Sequence, residues 1–143
     1  MTAPNPALLM FVALRAAERQ TMEAVAATGA DITQAQARLM ARLDHEHGSR
    51  LTDLAEQADV TKQTAGALVD QLQRGGYVTR VPDPSDGRAR RVTLTARGKE
   101  LADAANAVVA QVHAQWRKHL GAKAYDQMVD SLTRLREITD PYR

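Results

Sequence analysis

At 143 residues, 25% of them charged and 44% hydrophobic, the chain has enough material for one folded domain with its own core, and an ordinary soluble composition. It contains no cysteine, which excludes disulfides, thiolate metal sites and thiol redox sensing, and no apolar run approaching the roughly 20 residues of a membrane span. The net charge of +2 is unevenly spread: residues 61–99 hold eight basic residues against three acids, which leaves the remainder at −3 and points to a localised anionic partner, although a solvated charged face would give the same count.

The N-terminus, MTAPNPALLMFVALRAAERQ, has an apolar patch but no basic residue ahead of it. A signal peptide needs that positive flank, so a cytoplasmic protein with no membrane partner is expected. Prolines stand only at Pro4, Pro6, Pro82, Pro84 and Pro141, and the long proline-free stretches are cut by glycines that accept helix-terminating geometry. The pattern predicts six helices and a β-hairpin.

The first helix is expected from about Asn5 to Thr28, offering Leu8, Val12, Met22, Val25 and Ala26 for burial. In DITQAQARLMARL, Thr33 and Gln36 form a capping box, Ile32 supplies a staple, and Leu39, Met40 and Leu43 face inward. Short third and fourth helices follow in LTDLAEQAD and TKQTAGALVDQLQR. The period then changes: YVTRV and RVTL read as two antiparallel strands joined by a long, proline-stiffened loop, PDPSDGRA. Thr95 can cap a long fifth helix with Leu101, Ala105, Val108, Val112, Trp116 and Leu120 on one stripe. The sixth, from about Lys123 to Thr139, shows Tyr125, Met128, Leu132, Leu135 and Ile138.

Within this series, residues 51–72 form a helix-turn-helix pattern. Leu54, Ala55 and Ala58 share a face, Asp59 occupies the turn, Val60 closes it, and Thr61 caps a helix whose Ala65, Leu68, Val69 and Leu72 point inward. Such a second helix enters the DNA major groove by its N-terminal end. Thr61, Lys62, Gln63 and Thr64 present hydroxyls, an ammonium and an amide there. Glutamine can pair bidentately with adenine, and lysine can donate to guanine or phosphate. A hairpin directly after that helix reads as the wing of a winged helix. Gly87 permits a turn near its tip, and Arg88, Arg90 and Arg91 can reach a narrow minor groove. The Asp86 carboxylate, two residues before Arg88, can hold that guanidinium extended.

Other clusters carry less. DHEH, residues 44–47, places His45 and His47 two apart, on different sides of a helix, which is not zinc spacing. His113, Trp116 and His119 share a helix face and read as interface or its edge. No nucleophile–base pair or phosphate-cradling loop is evident, so neither enzymatic activity nor a cofactor nor a metal is expected.

LTDLAEQADVTKQTAGALVDQLQRGGYVTRVPDPSDGRARRVTLTARGKEL, residues 51–101, closely resembles the MarR family of bacterial transcription regulators. The markers are LTDLA, TKQT with LVDQL, GGYV with Arg80, and above all the DPSDGR wing followed by VTLT and Arg97–Gly98. The resemblance implies a mainly helical winged helix-turn-helix fold with a small β-hairpin and long N- and C-terminal dimerisation helices. It implies one unit over residues 1–143, with the winged helix-turn-helix at about 33–98 and dimerisation helices at about 5–28 and 99–140. Leu8, Val12, Trp116, Leu120, Met128, Leu132 and Leu135 are then the candidate dimer contacts. Arg88 matches the family's minor-groove arginine, Asp86 the acid that orients it, and Thr61, Lys62, Gln63 and Thr64 the start of the recognition helix. Ala65, Gly66 and Asp59 depart from residues frequent in relatives, which bears on specificity more than on affinity.

The function implied is a sequence-specific regulator of transcription, a repressor in the first instance, binding double-stranded pseudo-palindromic DNA as a homodimer. A small aromatic or lipophilic effector is the implied further partner, in a crevice for which Phe11, Arg15, Met40 and Trp116 are available. The absence of cysteine argues against the family's peroxide-sensing branch. Two other readings of the residues remain: an architectural DNA binder of low specificity, and a winged-helix module for protein partners.

Overall fold

Four of the six helices begin where a side chain accepts from one of their free N–H groups. Pro6 opens α1 (Pro6–Ala27), with the Leu8 N–H donating to Asn5 Oδ1 at 3.2 Å. In the capping box of α2 (Gln34–Arg42), the Gln36 N–H donates to Thr33 Oγ1 at 3.2 Å and the Thr33 N–H to Gln36 Oε1 at 3.0 Å. The chain continues through β1 (Ser49–Arg50), α3 (Leu51–Gln57), α4 (Lys62–Arg74), β2 (Val78–Asp83), β3 (Asp86–Leu94), α5 (Ala96–Leu120) and α6 (Ala122–Thr139). This computed structural model describes residues 2–142; the first and last positions of the expected unit lie outside the described residues.

The core belongs to the middle of the chain. Leu39 of α2, Leu54 of α3, Val69 and Leu72 of α4, Val78 of β2 and Val92 of β3 are each at most 2% exposed. Val25 from the end of α1 and Leu101 from the start of α5 join the same cluster. Gln36 is buried too, but its amide donates to Gln71 Oε1 at 2.8 Å, so the polar group is satisfied. Where α5 starts, Gly98 is indispensable: a Cβ there would stand 1.9 Å from the Tyr77 carbonyl oxygen. That close approach lets the Thr95 N–H donate to the same carbonyl at 3.1 Å, fixing α5 on the end of the sheet.

Three expectations are corrected. First, the sheet has three strands, in the order β1-β3-β2, because Ser49 and Arg50 pair antiparallel with Val92 and Arg91; two residues are too few to leave a periodic signal. Second, the wing has no long loop. β2 and β3 stay paired through Pro82↔Arg90; a register shift then leaves Gly87, Arg88 and Ala89 of β3 without partners before Asp83↔Asp86, and the turn itself is only Pro84 and Ser85. Third, DHEH is not helical. α2 stops at Arg42, and Asp44 makes a turn in which its Oδ1 accepts from the N–H groups of Glu46 and His47 at 2.9 and 3.0 Å. Those two N–H groups hold the Asp44 carboxyl below its usual range.

Candidate nucleic-acid interface

α3 and α4 cross with Ala55 and Ala65 buried, where small side chains permit close approach. Between them Asp59 adopts φ 56°, the left-handed turn geometry for which aspartate is suited, and the Val60 N–H donates back to the Ala55 carbonyl at 3.0 Å. The first turn of α4 is therefore held rigidly and is solvent-facing: Thr61, Lys62, Gln63 and Thr64 are all exposed. Their polar groups are not equally free. Thr61 Oγ1 accepts the Thr64 N–H at 3.1 Å and its hydroxyl donates to Thr64 Oγ1 at 3.0 Å, so Thr61 is first of all a cap. The acid farther along the helix, Asp70, is paired with Arg80 of β2 at 2.8 Å. The helix N-terminus is exposed and the one acid within α4 is paired, an arrangement that favours anions.

The wing arginines separate into two groups. Arg88 and Arg90 are exposed, and among the described residues neither has an ion-pair partner. Arg91 differs from the expectation that grouped it with them: its Nε donates to Asp83 Oδ2 at 3.0 Å and its Nη1 to the His47 carbonyl at 3.4 Å. The reason is register, since pairing with Val81 and Arg50 places Arg91 at the base of the hairpin rather than its tip. Asp86 also differs. Its Oδ1 accepts the backbone N–H of Arg88 at 3.0 Å, so it shapes the tip backbone and leaves the guanidinium free.

Farther from the wing tip, Arg97 of the basic segment lies 4.5 Å over the Tyr77 ring and donates to the Gly75 carbonyl at 2.6 Å. The positive excess of residues 61–99 is thus partly structural. Arg50 and Asp83, neither of them singled out in the sequence, prove central to the wing; their link depends on the two-residue strand β1.

The terminal helices present a different surface. Leu8, Val12, Leu120, Leu132 and Leu135 are 39–58% exposed, while Trp116 and Met128 are half-buried. A crevice of about 990 Å3 opens between α1, α2, α5 and α6, and Phe11, Met40 and Trp116 line it. Arg15 does not; its Nη1 pairs with Glu18 Oε2 at 3.1 Å. The His113 ring lies 5.5 Å from that of Trp116 on the crevice wall. No group of three or more metal-ligating side chains occurs among the described residues, and no helix among them is long and apolar enough to cross a membrane.

The chain is similar in sequence and fold to known proteins. The sequence pattern of the MarR family matches residues 30–89. The chain is 34% identical over 93 residues to the HTH-type transcriptional repressor Rv2887 of Mycobacterium tuberculosis, an overlap covering 63% of this chain and 67% of the relative. The chain belongs to the MarR family. It is a DNA-binding transcriptional regulator with the winged helix-turn-helix fold of that family.

The chain is also 31% identical over 96 residues to the transcriptional activatory protein BadR of Rhodopseudomonas palustris, covering 66% of this chain and 53% of BadR. Among solved MarR-type structures, Rv2887 in complex with salicylic acid superposes with a TM-score of 0.68 at 27% identity, covering 93% of this chain and 97% of that one. The transcriptional regulator PA4135 superposes with a TM-score of 0.75 at 23% identity, covering 95% and 98%. The latter likeness is one of fold.

Proposed function

We propose that this MarR-family regulator acts as a homodimeric repressor on a pseudo-palindromic operator and is released by a small aromatic or lipophilic effector. In this reading residues 33–98 read DNA, and the helices at 5–28 and 99–140 join two copies. Lys62, Gln63 and Thr64 meet base edges and phosphates in the major groove, with Thr61 holding the turn that presents them. Arg88 enters the adjacent minor groove and Arg90 the backbone beside it.

The observation that carries the reading is the distribution of exposed side chains. Among the described residues the exposed large hydrophobic side chains lie on α1, α6, the last turn of α5 and the C-terminal tail, whereas α4's first turn and the wing tip expose polar and cationic groups. Among the described residues α6 buries nothing, as expected of a helix whose apolar face is completed by another copy. Repression follows the sign of Rv2887, and the crevice has the size of a small-molecule site. An effector bound more tightly by the form that does not fit DNA would shift the population away from the operator.

The test is selection of duplexes from a randomised pool by the intact protein, then anisotropy of the selected and shuffled duplexes across a salt series. The expected result is two inverted half-sites centred about 10 base pairs, or a multiple, apart, bound with steep salt dependence. Equal binding of shuffled DNA would overturn sequence-specific recognition, and a monomer in sedimentation at micromolar concentration would overturn the dimer.

A further inference from the structure

Two arginines face each other where the wing leaves the body of the protein. The register sets Arg50 of β1 opposite Arg91 of β3, and like charges directly across an antiparallel pair repel. One acid lies between them. Asp83, the last residue of β2, sits just past the register shift in the hairpin and is 3% exposed. Its Oδ2 accepts from Arg50 Nε at 2.8 Å and from Arg91 Nε at 3.0 Å. Its Oδ1 accepts the Ser85 N–H at 2.9 Å and the Ser85 hydroxyl at 2.7 Å.

A carboxylate offers about four acceptor sites, and here all are used. Through them one side chain joins the residue that caps α3, the strand β3 and the turn of the wing. Arg50 Nη2 adds a further donation to Ser85 Oγ at 3.3 Å. The two Ser85 bonds, followed by Arg50 and Arg91, hold the Asp83 carboxyl well below the usual carboxylate range. Beyond this point the hairpin has little else to hold it. Pro82, Pro84, Ser85, Asp86, Gly87 and Arg88 are all exposed, and a Cβ built on Gly87 would touch nothing within 4 Å. A bare two-stranded hairpin is marginal in water.

We propose that Asp83 is the positioning residue of the wing: by bridging Arg50 and Arg91 it fixes the hairpin's angle to the helix-turn-helix and so delivers Arg88 to DNA. The proposal rests on the reading that Arg88 contacts the minor groove. Asp83 itself, sealed under two guanidinium groups, touches no DNA. Loss of its charge leaves Arg50 and Arg91 unneutralised across the β1–β3 pair, and the wing swings free while the core of the protein stays closed.

The experiment is a double-mutant cycle on the intact protein, using the duplex selected by the wild type and anisotropy for affinity, with thermal melts as a control. Asp83→Asn and Arg88→Ala are each expected to weaken binding by about tenfold or more. The double variant is expected to bind no more weakly than Arg88→Ala alone, because a wing without Arg88 gains nothing from being held. Losses that multiply, or a folded Asp83→Asn variant that binds as the wild type does, would overturn the proposal. Should Asp83→Asn fail to fold, the same cycle with Arg50→Gln, which removes an exposed partner, decides by the same criteria. Arg88→Ala binding like the wild type would instead overturn the minor-groove reading itself, and the positioning role with it.

Discussion

Residues 33–98 and the terminal helices handle their apolar side chains in opposite ways. In the first region Leu39, Leu54, Val69, Leu72, Val78 and Val92 close on one another within a single chain. In the second, α1 leaves Leu8, Leu9, Phe11, Val12 and Leu14 more than half exposed, and Ile138 of α6 is 84% exposed. A helix in water is held chiefly by packing of its apolar face rather than by propensity. On the reading proposed above, residues 33–98, with Val25 and Leu101, close a core within one chain, whereas the arms are completed by a second surface, that of another copy.

The largest expected effect comes from breaking that second surface. Leu132→Asp together with Leu135→Asp puts two charges on the α6 face and should convert a dimer to monomers in sedimentation. With both half-sites no longer held by one particle, operator affinity should fall by about 10²–10⁴-fold, while the winged helix-turn-helix stays folded by circular dichroism. A core change should do the reverse. Leu54→Ala removes a side chain with no exposure and should cost about 2–5 kcal/mol in a denaturant melt, lowering stability without changing the assembly of whatever remains folded. If both variants lost structure equally, the two regions would not be separable.

Gly66 tests the reader more gently. A Cβ there would meet only Leu51 Cδ2 at 3.8 Å, an ordinary contact, so Gly66→Ala should stabilise the protein by about 0.5–1 kcal/mol. Selected DNA sequences should be unchanged, since the position turns toward α3; a loss of affinity would show instead that the missing side chain admits the DNA backbone.

The smallest effect concerns the seam between the regions. Glu18 of α1 takes a bidentate pair from Arg38 of α2, at 2.8 and 2.9 Å, and Arg15 adds a third contact. The Arg38 hydrogen bonds hold its carboxyl below the usual value. A lowered carboxylate pKa stabilises the folded state above the unfolded value of about 4.3 and loses that contribution as the pH falls through the folded one. The melting temperature of the wild type should therefore exceed that of Glu18→Gln by a small, constant margin from pH 8 to 6, and the margin should shrink below about pH 4. A margin unchanged at pH 3 would show that the ion pair does not join the arms to the reader.

Much of this was legible in the residues. The capping box of Thr33 and Gln36, the Thr61 and Thr95 caps, the Asp59 turn and the helix count all follow from short-range chemistry, in which a side chain bonds its own neighbours within four positions. The helix-turn-helix and the wing follow from period and punctuation, and their order along the chain suffices to name the fold. The separation of Arg88 from Arg91 was not legible, because RARR is one basic run until strand register assigns its members to tip and base.

What the sequence by itself determined, then, is the six helices, the β2–β3 hairpin, the capped polar first turn of α4 and the family, because each depends on contacts near in the chain. Only the tertiary structure decided that Asp83 serves Arg50 and Arg91, 33 residues before it and eight after, that Arg80 and Arg97 are held internally, and that α6 is left without a buried residue. Those outcomes depend on which distant segments meet, and a buried carboxylate or a bare apolar face acquires meaning only from what lies opposite it.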